Sequence, residues 1–131
     1  MIKLLFKLFK EAYEEHLNNK VEKYYEIYHF SMEPNHTSHN NEADAFKHTY
    51  MSAELTILLG SKAAYEIGIL QEDTNPDNPP AEREMDLHND SVGIEIGKAL
   101  KKKLFHLIHM DDKIAERVMY EMNNGNLITH V

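Results

Sequence analysis

Two short stretches of this chain gather side chains that bind cations and move protons. The first, Glu82 to Gly97, reads Glu-Arg-Glu-Met-Asp-Leu-His-Asn-Asp-Ser-Val-Gly-Ile-Glu-Ile-Gly. At helical spacing Asp86, Asn89 and Asp90 share one face, and Gly93 and Gly97 continue the same stripe. Asp86 and His88 are about 200° apart on such a helix, which leaves His88 a weaker candidate. The second stretch, Asp44-Ala-Phe-Lys-His48, puts an acid and an imidazole one turn apart. An Asp and a His so placed can ligate a metal together, or the Asp can orient the ring.

The glycines suggest how these stretches meet. Each glycine inside a helix costs roughly 1 kcal/mol against alanine, so a pair at i and i+4 needs a use. Close approach of a second helix is such a use, and it would press the carboxylates against Asp44 and His48. The expected catalytic groups are therefore His48, Asp44 and Asp86, with Asn89 binding substrate. The expected metal ligands are Asp44, His48, Asp86, Asp90 and Glu72, the last from a third helix whose stripe is Tyr65, Gly68, Ile69 and Glu72. Glu72 has a second reading as part of a solvated helix end. With more oxygens than imidazoles the set suits magnesium, calcium or manganese, and the histidine keeps zinc open. The competing reading is a buried polar network that fixes helix register.

The elements that must position these groups are helical. A 42% hydrophobic and 27% charged composition is that of an ordinary globular domain, and 131 residues fill one domain, residues 1–131. Three of the four prolines lie within residues 76–80, leaving long stretches free of helix breakers. The expectation is an all-α, compact bundle of about five helices. The first covers 2–31 as one long helix, with Asn18-Asn19 the place where it could break. The second runs from Asn41 or Glu42 to Leu59 and stops at Gly60; Ser61 caps the third, over about 62–70. The fourth runs from Pro80 to about His109 and the fifth begins at Asp111 or Asp112. Asn124-Gly125 signals a turn before an apolar tail that docks in extended form. His36 and His39 form a His-x-x-His in a polar loop that fixes no geometry.

Charge narrows the partners. Of the net −8, residues 32–92 carry −9, while 1–31 sum to zero and 93–131 to +1. Acidity concentrated on the site helices argues against a nucleic-acid groove and for a cation. The opening Met-Ile-Lys-Leu-Leu-Phe-Lys-Leu-Phe-Lys is too short and lysine-interrupted for a signal peptide, so the chain is expected to be made in the cytoplasm. Export would need a dedicated secretion machine or a carrier. The same ten residues make a basic amphipathic start that can contact a membrane surface. Cysteine is absent, which excludes thiolate sites and cysteine nucleophiles, and there is no phosphate-binding glycine loop or His-Glu-x-x-His helix.

Asp44-Ala-Phe-Lys-His48-Thr-Tyr and Glu84-Met-Asp-Leu-His-Asn-Asp-Ser-Val-Gly93 together resemble a bacterial domain family of unsettled function, over about residues 42–98, with the Asn124-Gly125 end a further candidate for the match. Its pattern is Asp-Ala-Phe-Arg-His-Ala-Tyr-Trp followed by Met-Asp-Leu-x-Asn-Asn-x-x-Gly. This chain has Lys47 for the arginine, Met51 for the tryptophan and Asp90 for the second asparagine. Met51 removes an aromatic stacking surface, and Asp90 adds a carboxylate suited to a cation. The family's members often end secreted or polymorphic-toxin proteins, so the resemblance implies an effector with an immunity or carrier protein as partner. Its shared polar positions are Asp44, His48, Asp86 and Asn89. The leading expectation is a small toxin-like hydrolase, metal-assisted, acting on a phosphodiester, lipid or cell-envelope substrate. The alternative is a non-catalytic protein- or membrane-interaction module whose polar cluster is structural.

Overall fold

In a computed structural model, residues 2–30, 42–74, 77–103 and 109–130 are described. His36 and His39 lie outside them. The described residues form five helices and no strand: α1 (Ile2–Ile27), α2 (Glu42–Leu59), α3 (Ser61–Asp73), α4 (Pro80–Lys101) and α5 (Met110–Asn123). The fold is all-α, as the periodicity predicts. The chain divides into two compact units, Met1–Phe30 and Ser31–Val131.

The first unit is α1, one long helix that runs unbroken through Asn18-Asn19. It ends in a closed cap: His29 adopts φ 56°, its N–H donates to the Glu26 carbonyl, and the Phe30 N–H donates to the Tyr25 carbonyl. That pairing satisfies carbonyls that a helix end otherwise leaves bare.

In the second unit α2 is the central element, packed against α3, α4 and α5, with its most extensive contact to α4. Its buried residues come from every side of the helix, including Ala43, Ala45, Phe46, Thr49, Tyr50, Ala53 and Leu55. A helix surrounded on all faces needs such all-round apolar or small residues. The two threonine hydroxyls that this brings indoors are satisfied locally, Thr49 donating to the Ala45 carbonyl (2.8 Å) and Thr56 to the Ser52 carbonyl (2.7 Å).

The α2–α4 contact is close because of two glycines. A Cβ on Gly93 would collide with the Thr49 carbonyl oxygen, and one on Gly97 would lie 2.6 Å from both the Ala53 carbonyl oxygen and the Thr56 Cβ. Asp86 faces Asp44 and His48, Gly93 faces Thr49 and Ser52, and Gly97 faces Ala53 and Thr56. Numbers rise together along the contact, so α2 and α4 run parallel. Parallel neighbours need a crossover, and α3, which packs on both, supplies it.

Several boundaries differ from expectation, among them the end of α1 at Ile27 rather than residue 31 and the start of α5 at Met110. Gly60 (φ 97°, ψ 159°), not Ser61, stands at the N-cap of α3, and it also ends α2 through its N–H to the Thr56 carbonyl. That conformation is open to glycine and strained for other residues, so one residue makes the whole joint. α3 continues to Asp73. α4 ends at Lys101 rather than near His109, with the Lys103 N–H donating to the Leu100 carbonyl. Lys98 and Lys101 in the last turn complement the negative helix end. At the other end Pro80 occupies the first turn, where its missing N–H costs no helical bond.

Candidate metal centre

Parallel packing in this register brings the second turn of α2 against the second and third turns of α4. His48 then lies among three aspartates. Its Nε2 is 3.5 Å from Asp44 Oδ1 and 3.4 Å from Asp86 Oδ1, and its Nδ1 is 3.5 Å from Asp90 Oδ1. The side chains of Asp44, His48 and Asp86 keep 11–12% of their exposure, and that of Asp90 keeps 8%. The cluster is therefore nearly dry, with a narrow solvent-facing side.

Those separations are longer than good N–H···O hydrogen bonds, which fall near 2.7–3.2 Å. His48 Nδ1, Asp86 Oδ1 and Asp90 Oδ1 are buried and receive no well-formed hydrogen bond from any protein group. Leaving a buried polar atom unsatisfied costs about 1–3 kcal/mol, more for charged groups. One ligand atom each from Asp44, His48 and Asp86 lie within 4.8 Å of one another, the span of a shared coordination sphere. The donor set therefore fits a cation.

α3 forms the third wall. A Cβ on Gly68 would sit 2.9 Å from Asp90 Oδ2, so this glycine lets the Asp90 carboxylate lie against the α3 backbone. One turn further, Glu72 is buried at 5% exposure and accepts a 2.8 Å hydrogen bond from Asn78 Nδ2. This overturns the reading of Glu72 as a solvated helix end. Next to it Asp73 pairs with Arg83 at 3.1 Å, a partly exposed bridge from α3 to α4.

The electrostatics follow from crowding acids in a dry space. Burial works against the charged form of His48, but Asp90, Asp86 and Asp44 outweigh it and raise the imidazole from 6.5 to about 9. Burial pushes Asp86 up from 3.8 to about 7; His48 opposes the rise, and Asp44, Glu72 and Asp90 add to it. Glu72 is also raised, chiefly by burial, with His48 pulling it back. A protonated His48 thus leaves the surrounding carboxylates with surplus negative charge, which a divalent cation can balance.

Asn89, expected to bind substrate, is engaged elsewhere. It is fully buried, its Nδ2 donates to the Ile128 carbonyl (2.9 Å), and its Oδ1 accepts the Ile128 N–H (2.9 Å). Both ends of the amide are occupied in clasping the tail to α4. His88 is exposed on another side, where its Nε2 meets the Asn126 carbonyl at 2.8 Å, and Glu84 is exposed as well. Sequence reasoning missed this tail clasp; its only signal was the apolar run after Gly125. A cleft of about 510 Å³ lies beside it, lined by His88, Glu95, Arg117 and Glu121 among others, and does not reach His48.

Among the described residues no helix is long and apolar enough to cross a membrane. Residues 15–126 match the profile of a family described as a domain of unknown function (DUF6973), a span that includes both motifs and reaches well beyond residues 42–98. No match to the chain was found among curated proteins or among solved structures.

Proposed function

We propose that the chain, which belongs to the DUF6973 family, is a divalent-metal-assisted hydrolase built around His48. The observation that carries this reading is the convergence of three aspartates on one imidazole, with buried Oδ1 atoms of Asp86 and Asp90 left without good donors. Asp44, His48 Nε2 and Asp86 would hold the ion. Asp90, on the Nδ1 side, would keep the proton on that nitrogen and leave the Nε2 lone pair free, the carboxylate–histidine arrangement that orients metal-bound imidazoles. Glu72, when ionised, would add negative charge from α3. Three protein ligands leave coordination positions for water and substrate, as in catalytic sites. One imidazole with two carboxylates suits manganese or zinc better than calcium, which takes about six to eight oxygens. A bound ion of this kind lowers the pKa of water towards neutrality.

The substrate class in this reading is a phosphodiester, lipid or cell-envelope ester. The likeness of both motifs to a bacterial family found at the ends of toxin-like proteins supports an effector role. The experiment is titration with Mn2+ and Zn2+ by calorimetry, followed by hydrolysis of a chromogenic phosphodiester with and without metal. Saturable binding lost in Asp86→Asn, with metal-dependent turnover lost in parallel, supports the proposal. Metal binding without turnover of any ester reduces it to an ion site, and equal binding by wild type and Asp86→Asn overturns it.

One finding favours a second reading, a structural network. His48 joins two helices through ion pairs at the tightest contact of the second unit. On that reading His48→Ala unfolds the protein, whereas the hydrolase reading predicts a folded, inactive one.

A further inference from the structure

The first ten residues combine apolar and basic groups in a way the His48 site does not use. Leu4, Leu5 and Leu8 are 57–61% exposed and Phe9 is 37% exposed. On a helix these four side chains span an arc of about 140°, and Lys7 and Lys10 project from the other side. Lys3, Lys7 and Lys10 are the only charged side chains before Glu11, so residues 2–10 carry +3 while the whole chain carries −8. This stretch precedes the family-matched region, which begins at residue 15.

We infer that this end of α1 docks on an anionic lipid surface, lying in the plane of the headgroups. Large aliphatic side chains together on a water-facing helix arc are the insertion face of an interfacial helix, and lysines on the remaining arc meet the lipid phosphates. The occupant is set by charge. A neutral apolar groove on a protein would need no lysines, and a second copy of the same helix would bring +3 against +3. An anionic bilayer complements both features at once. Each lysine near such a surface adds about fivefold to partition. The remaining chain is acidic and is repelled by the same surface, so this helix end would carry the attachment.

The test is sedimentation of the full chain with phosphatidylcholine vesicles and with vesicles of phosphatidylcholine mixed with phosphatidylserine. Wild type is expected to sediment with the mixed vesicles and remain in solution with the neutral ones. The double variant Lys7→Gln/Lys10→Gln should lose about 25-fold in partition, and Leu5→Glu/Leu8→Glu should not bind. His48→Ala should bind as wild type, which separates this inference from the hydrolase reading. Equal sedimentation with both vesicle types overturns the proposal, as does no binding at low salt. A wild-type dimer that the leucine variants dissociate, with no vesicle binding, assigns the face to a second copy instead.

Discussion

His48 presents its Nδ1 to Asp90 Oδ1 at 3.5 Å, from the side of the ring opposite Asp44 and Asp86. On the proposed reading the two nitrogens therefore have different work. A residue that only orients the ring should weaken metal binding without abolishing it. Asp90→Asn is expected to lower Mn2+ affinity about 10–100-fold, whereas Asp86→Asn, which removes a ligand, should leave no measurable binding. Calorimetry on both variants reads the difference, and equal losses would remove the distinction.

Stability of the metal-free protein should fall as pH rises. Asp86 has a folded pKa of about 7 against 3.8, so between those values the folded state holds a proton the unfolded chain has lost. His48, at about 9 against 6.5, contributes stability fully present below pH 6.5 and lost as pH approaches 9. Both slopes have the same sign. Thermal melts from pH 4 to 9 should show a falling midpoint, and Asp86→Asn should flatten the acid half while leaving the alkaline limb. A midpoint that rises across this range would contradict both shifts.

Metal binding should run the other way. An ion at Nε2 displaces a proton, so Mn2+ affinity should increase with pH up to about 9 and binding should release protons. Calorimetry in buffers of different ionisation enthalpy measures that release directly.

The glycines separate fold from site. Gly93→Ala forces a methyl into the Thr49 carbonyl, which is backbone and cannot step aside; overpacking of this kind costs about 1–3 kcal/mol. Gly68→Ala meets only the end of the Asp90 side chain. A gain in helix propensity of roughly 1 kcal/mol offsets part of its cost. Denaturant melts should show a clear loss for the first and a small change for the second, while metal affinity should drop in Gly68→Ala.

Asn89→Ala should release the tail. The variant strands the Ile128 N–H and carbonyl at a cost of about 1–3 kcal/mol, and amide exchange at Ile128 should accelerate towards that of an open chain. Unchanged exchange would mean that burial of Leu127 alone holds the segment.

Much of this is legible in the sequence, because periodicity reports which residues share a face. Asp44 with His48, Asp86 with Asp90, and Gly93 with Gly97 each lie about one turn apart, and close approach was the one use that justified both glycines. Periodicity does not say which neighbour a face will meet. Asn89 sits on the same stripe as Asp86, yet its partner lies 39 residues away in the tail. Glu72 beside a proline-rich loop reads as solvated until α3 is placed across α2 and α4. Helix ends were the least legible, since Ser61 is a good cap by type and Gly60 does the work by conformation.

The parallel course of α2 and α4 also has an electrical result. Antiparallel helices cancel their peptide dipoles, whereas these two add, and both positive ends lie at the end of the pair that carries Asp44 and Asp86. Each helix start is equivalent to roughly half an elementary charge. Asp44, in the first turn of α2, receives it most directly, and Asp86, further along α4, receives less. This background does not titrate and does not leave with a cation. It tempers repulsion among the acids, and on the proposed reading it would give an anionic substrate a favourable approach to a centre that its side chains alone would make forbidding.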